Sequence, residues 1–170
     1  GARQIMKGTV ALMILAGGMG SRLGSSNPKG MYDIELPSHK SLFQIISEKF
    51  QRVQSYSAEI CQAAGENCAP RYKCMLYIMT SDLNDQVTRD YFKSNDYFGI
   101  PEDRVLFFKQ SSLPTLTFEG KLMFETRKKL SLAPNGNGAL FDAMRNNKTL
   151  QDNIKENGID YIHLVGVDNV

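Results

Sequence analysis

The 170-residue chain has no tryptophan, only two histidines and three cysteines, and no acidic residue before Asp33. Each scarcity closes a class of function. Cys61, Cys68 and Cys74 contain no CxxC pair and are odd in number, which argues against a zinc ribbon or a disulfide framework and suits a reducing, cytoplasmic setting. His39 and His163, one in a loop and one in an expected strand, form no metal cluster and receive no role. No run approaches the roughly 18 apolar residues of a membrane span, and the N-terminus lacks the order of a secretory signal, so no membrane partner is expected. A pI near 8.4 without a basic stripe argues equally against nucleic acid.

What charge there is sits unevenly. The chain carries a net charge of +2, yet its first 32 residues hold Arg3, Lys7, Arg22 and Lys29 and no acid. A basic head on a bland body points to a small anionic ligand. With 42% hydrophobic residues, the length suits one globular domain and leaves no room for a second.

Apolar runs then alternate with helical patterns. Thr9 to Leu15 (TVALMIL) reads as a strand buried on both faces, followed by a glycine-rich loop reaching about Pro37. Ser38 offers an N-cap for a helix whose apolar stripe runs Leu42, Phe43, Ile45, Ile46, Phe50 and Val53 toward Cys61. Cys74 to Met79 is a second strand, with a helical pattern through Val87, Tyr91 and Phe92, and Val105 to Phe108 a third. Leu116 to Phe124, turning at Glu119-Gly120, reads as a β-hairpin insertion. After PNGNG, a helix begins at Ala139, another spans Leu150 and Ile154 with Gly158 as its stop, and Tyr161 to Val167 is expected as a final buried strand. This order predicts an α/β fold: a doubly wound, mostly parallel, Rossmann-like sheet with helices on both faces and ligands beyond the carboxyl ends of its strands.

The loop after the first strand is the chemical signal. Residues 16–30 hold five of the fourteen glycines, Gly17, Gly18, Gly20, Gly24 and Gly30. Backbone amides approach phosphates closely where no side chain intervenes. The dinucleotide fingerprint fails because Gly18-x-Gly20-x-x ends on Leu23, and the P-loop fails because SSNP separates Gly24 from Lys29.

The residues LAGGMGSRLG (Leu15 to Gly24), PKGMYD (Pro28 to Asp33) and LPSHKSLFQ (Leu36 to Gln44) resemble the signature of the eukaryotic UDP-N-acetylhexosamine pyrophosphorylases, uridylyltransferases that make UDP-N-acetylglucosamine. The resemblance extends to YIMTS (Tyr77 to Ser81), Lys109-Gln110, LPTLTFEGK (Leu113 to Lys121), LAPNGNGAL (Leu132 to Leu140) and HLVGVDN (His163 to Asn169). Ser21, Asn135 and Ala139 depart from the family's usual Thr, Asp and Gly. Because family members are several times longer, it implies that residues 1–170 are the nucleotide-binding part of a catalytic domain, with both ends cut and a C-terminal domain absent. UDP-glucose and broad UDP-sugar pyrophosphorylases share the glycine loop, and a non-catalytic module holding UTP or UDP-sugar is an alternative of another class.

The implied reaction joins UTP and N-acetylglucosamine-1-phosphate into UDP-N-acetylglucosamine and pyrophosphate, with magnesium or manganese among the phosphates. A phosphate monoester oxygen is already anionic at neutral pH, so alignment and charge neutralisation suffice and no nucleophile motif is required. By resemblance, Arg22 grips the leaving phosphates and Lys29 sits near the α-phosphate, where solvated loop charges are the plainer alternative. Asp168 is assigned to the metal, with a helix N-cap as its alternative. Gln110 and the backbone at Gly136 are assigned to uracil, and the backbone of Leu15, Ala16, Gly17 and Gly18 to the nucleoside. Asn137 is either a sugar contact or the N-cap of the following helix.

Overall fold

The structure, a computed structural model, describes residues 1–20, 24, 26–65 and 73–169. In chain order its elements are α1 (Ala2–Lys7), β1 (Val10–Leu15), α2 (Leu42–Ala63), β2 (Met75–Thr80), α3 (Asp85–Ser94), β3 (Val105–Lys109), β4 (Ser112–Pro114), β5 (Phe124–Thr126), β6 (Lys129–Leu130), β7 (Leu132–Pro134), α4 (Ala139–Asn146), α5 (Lys148–Glu156) and β8 (Tyr161–Gly166). Four of the strands form a parallel sheet in the order β3-β2-β1-β8.

Alternation along β2 explains why helices cover both faces. All six of its residues are buried, and side chains of a strand point to opposite faces in turn. Leu76 and Ile78 enter one apolar cluster, with Phe43 and Ile46 of α2 and Phe92 of α3. Met75, Tyr77 and Met79 enter the other, with Leu140 and Ala143 of α4 and Leu150 of α5. The first cluster holds an edge-to-face pair of Phe43 and Phe92, 5.0 Å between ring centroids. The expected doubly wound α/β architecture is therefore present.

The antiparallel insertion is present as well. Around the expected turn, the Gly120 amide donates to the Thr117 carbonyl at 2.9 Å and the Thr117 amide to the Lys121 carbonyl at 2.8 Å. Gly120 has φ 80°, which favours glycine. Two short ladders, β4 with β7 and β5 with β6, extend this arm.

Three expectations change. The cap of α2 is Ser41, whose Oγ accepts from the Gln44 amide at 3.2 Å, not Ser38. The chain first closes a turn in which the His39 amide donates to the Leu36 carbonyl at 2.8 Å, so the helix starts later. The strand expected to be buried, β8, is an edge among the described strands, with Tyr161 57% and Leu164 43% exposed. An apolar run records composition and not how many neighbours a strand has. Val53 and Val87, placed on apolar stripes, are half exposed. The helix α1 was not foreseen; it is too short to show a period, and Gly8 ends it with φ 75°.

Candidate functional site

The chain runs from β1 outward to β2 and β3, then returns to the other side of β1 as β8. Such a reversal leaves a crevice at the carboxyl ends of the two diverging strands, where open α/β sheets bind ligands. Parallel register makes these ends level: Leu15 pairs with both Met79 and Gly166, and Met79 with Phe108. The segments that follow each strand, beginning at Ala16, Ser81, Gln110 and Val167, therefore emerge side by side.

A cavity of about 230 Å³ opens there. Leu15, Gly17 and Gly18 line it from the β1 side, Lys29 from the glycine loop, and Gly166, Val167 and Asp168 from β8. Gln110, Pro134, Gly136 and Asn137 close it. Eight of the ten residues singled out in the sequence thus meet in one place. Ala16 is a neighbour of the cavity and not part of its lining: it is buried, and its amide donates to the Met79 carbonyl at 2.8 Å. Arg22 lies outside the described residues.

Gln110 is only 5% exposed, and its amide N–H is spent on the Thr80 carbonyl at 2.9 Å. Its side-chain Oε1 is buried without a hydrogen-bond partner among the described residues. An orphaned acceptor in a dry site costs free energy unless something supplies a donor, so this carboxamide is suited to a ligand with its own hydrogen-bonding edge. Gly17 gives it room: a Cβ at that position would run into the Gln110 side-chain amide. Gly136 has φ 79°, a left-handed turn that sets the approach to α4. The residue preceding α4 is Gly138, with no side-chain cap, so Asn137 does not serve as the N-cap and stands at the cavity.

The charged pair faces the opposite wall. Lys29, in a 3₁₀ turn after Pro28, donates to Asp168 Oδ2 at 2.6 Å, and the two side chains are 31% and 58% exposed. Lys29 beside Asp168 holds its carboxyl below the ordinary carboxylate range. Among the described residues no three His, Cys, Asp or Glu side chains gather as a metal cluster. An exposed lone carboxylate still fits magnesium, which takes one or two protein carboxylates and completes its shell with water and phosphate oxygens. His39, by contrast, pairs with Asp33 at 3.0 Å in the preceding loop.

Sequence reasoning missed the residues behind the glycine loop. Ser81 and Asn84 are 0% and 1% exposed, at the start of α3, and both reach across to the loop carbonyls. A serine directly after a fully buried strand and an asparagine just before the next helix were the available signal. Lys109 is also accounted for, donating to Asp82 at 2.8 Å, while Ser112 donates to the other oxygen of that carboxylate at 3.3 Å.

The family model described as UTP–glucose-1-phosphate uridylyltransferase matches residues 2–170. The chain is 42% identical over its whole length to UDP-N-acetylglucosamine diphosphorylase 1 of Arabidopsis thaliana, of which it covers 33%. It is 40% identical to UDP-N-acetylglucosamine pyrophosphorylase of Saccharomyces cerevisiae, covering all of this chain and 34% of the relative. The crystal structure of the Trypanosoma brucei UDP-N-acetylglucosamine pyrophosphorylase superposes on 98% of this chain and 33% of its own, with a TM-score of 0.84 at 37% identity. The chain spans about a third of the length of these relatives.

Proposed function

The chain belongs to the UTP–glucose-1-phosphate uridylyltransferase family, and from that premise we propose that it is the nucleotide-binding part of a cytoplasmic UDP-N-acetylglucosamine pyrophosphorylase. The observation that carries the reading is the convergence of Leu15, Gly17, Gly18, Lys29, Gln110, Gly136, Asn137 and Asp168 on one cavity at the sheet's point of reversal.

The Gln110 carboxamide carries one acceptor and two donors, the complement of the N3–H and O4 edge of uracil, and the backbone at Gly136 lies beside it. The nucleoside lies along Leu15 to Gly18, which directs the triphosphate toward Lys29. A phosphate oxygen of N-acetylglucosamine-1-phosphate forms a bond to the α-phosphorus of UTP, the bond from that phosphorus to the bridging oxygen breaks, and pyrophosphate leaves with the electron pair. Lys29 places a positive charge near the α-phosphate, Arg22 is assigned to the leaving phosphates, and Asn137 to the sugar. Asp168 would hold magnesium or manganese, whose charge offsets that of the phosphates when bound. Arrival of anionic phosphates gives Lys29 a new partner and frees Asp168 for the cation.

The test is pyrophosphate release from UTP and N-acetylglucosamine-1-phosphate, measured on this chain and on any longer chain from the same gene, with UTP binding measured in parallel. Release by the longer chain and UTP binding by this one are expected. A longer chain that binds UTP without releasing pyrophosphate would establish a non-catalytic module instead, and a preference for glucose-1-phosphate would move the reading to the UDP-glucose branch.

A further inference from the structure

We propose that Ser81 and Asn84 are positioning residues of the nucleotide site: from behind, they turn the backbone of the glycine loop so that its amides face the cavity as donors. The proposal rests on the nucleotide reading given above and adds to it two residues that do not line the cavity.

Three consecutive carbonyls of the loop are held by these two side chains. Asn84 Nδ2 donates to the Ala16 carbonyl at 2.9 Å and to the Gly18 carbonyl at 3.2 Å. Ser81 Oγ donates to the Gly17 carbonyl at 2.8 Å. The two are locked to each other, since Asn84 Oδ1 accepts from the Ser81 amide at 2.9 Å. Among the described residues no peptide bond is cis, and in a trans peptide plane the C=O of one residue and the N–H of the next point in opposite directions. Drawing the carbonyls of Ala16 and Gly17 inward therefore turns the amides of Gly17 and Gly18 outward. Both glycines line the cavity, and neither amide has a hydrogen-bond partner among the described residues. The third carbonyl ties in the lysine: Gly18 also accepts from the Lys29 amide at 3.3 Å.

A second observation separates this arrangement from ordinary helix capping. Asn84 occupies the N-cap position of α3, where an asparagine side chain normally accepts from the helix's own first amides. Here it makes no such bond. Its carboxamide is committed to Ser81 on one end and to the glycine loop on the other, and α3 begins without its side-chain cap. The bond that would serve the helix is replaced by bonds that orient the loop.

The experiment uses Asn84→Asp, which keeps an acceptor for the Ser81 amide and removes the donor to the loop, and Ser81→Ala, a milder deletion of the hydroxyl. UTP titration is read beside amide signals by NMR in the nucleotide-free protein. The expected result is a rise in the UTP dissociation constant of about tenfold in Asn84→Asp and severalfold in Ser81→Ala. The amide signals of Gly17 and Gly18 should shift while those of β2 stay in place. Should Asn84→Asp not fold, Ser81→Ala carries the test alone. Folded variants with unchanged Gly17 and Gly18 signals and UTP affinity within about twofold of the parent overturn the proposal. Failure of the parent to bind UTP overturns the nucleotide reading, and the amide signals of the ligand-free variants then decide separately whether Ser81 and Asn84 set the loop.

Discussion

The two walls on either side of β1 are built on opposite principles. Toward β2 and β3 the polar groups are sealed: Ser81, Asn84 and Gln110 are nearly inaccessible, and the first two are fully engaged. Toward β8 the polar groups are charged, exposed and held mainly by each other, as Lys29 and Asp168 are. A buried neutral network fixes backbone direction because any rearrangement leaves unpaired polar atoms in a dry environment. An exposed ion pair is worth about 0 to 1 kcal/mol and can exchange partners at little cost. One wall holds shape, and the other is free to answer an incoming charge.

Substitutions on the open wall should therefore cost activity and little stability. Lys29→Ala, and with it Arg22→Ala, is expected to lower turnover of the longer enzyme by about a hundredfold or more. The thermal midpoint of Lys29→Ala should move by no more than a few degrees, as expected for loss of an exposed pair. Near-normal turnover in both variants would remove these residues from the mechanism, and a large loss of stability in Lys29→Ala would erase the contrast between the walls.

The sealed wall should behave in reverse. Asn84→Ala leaves carbonyls of Ala16 and Gly18 without their partner in the interior and should lower the free energy of unfolding by about 1 to 3 kcal/mol, read from urea titration. A loss no greater than that of Lys29→Ala would show that the network contributes nothing beyond the exposed pair. For Gln110→Ala, competition binding should show about tenfold weaker discrimination between UTP and other nucleoside triphosphates. Unchanged selectivity would reject its part in reading the base.

The smallest effects come with pH, with opposite signs at Tyr77 in the core beneath β2 and at Asp168 on the open wall. Burial pushes the Tyr77 hydroxyl, which donates to Asn153 at 2.9 Å, from its ordinary 10 up to about 12. Between those values the unfolded chain gives up this proton first, so stability present below pH 10 declines as the pH climbs toward 12. Tyr77→Phe should flatten that alkaline decline in urea midpoints, and an equally steep decline in the variant would place its origin elsewhere. Asp168 has the opposite sign: its lowered carboxyl contributes above the ordinary carboxylate range, and the contribution is lost as pH falls through the lowered value. Its exposure makes that contribution small.

Much of this arrangement was legible in the chain itself. The central strands show as apolar runs, the glycine loop follows the first of them, and parallel register alone then brings Leu15, Gly17, Gln110 and Asp168 together. The exposure of β8 was not legible, because an edge strand and a central one of the same composition read alike. Nor was the work of Asn84, which at a helix start reads as a local cap, while its partners are the carbonyls of Ala16 and Gly18, far away in the chain. Long-range side-chain bonds leave no periodicity. The Asn137 ambiguity falls in the same category, since capping depends on where α4 begins, and the helix starts one residue too late for it.

The near contact between Gly17 and the Gln110 side chain also bears on how the family can vary. A methyl group at the first position would drive the Gln110 side chain from its place, whereas shortening the second position meets no such obstacle. A side chain at position 17 should therefore occur among relatives only beside a displaced or shorter residue at position 110, and a recombinant that sets such a side chain against a glutamine should lose the placement of that glutamine.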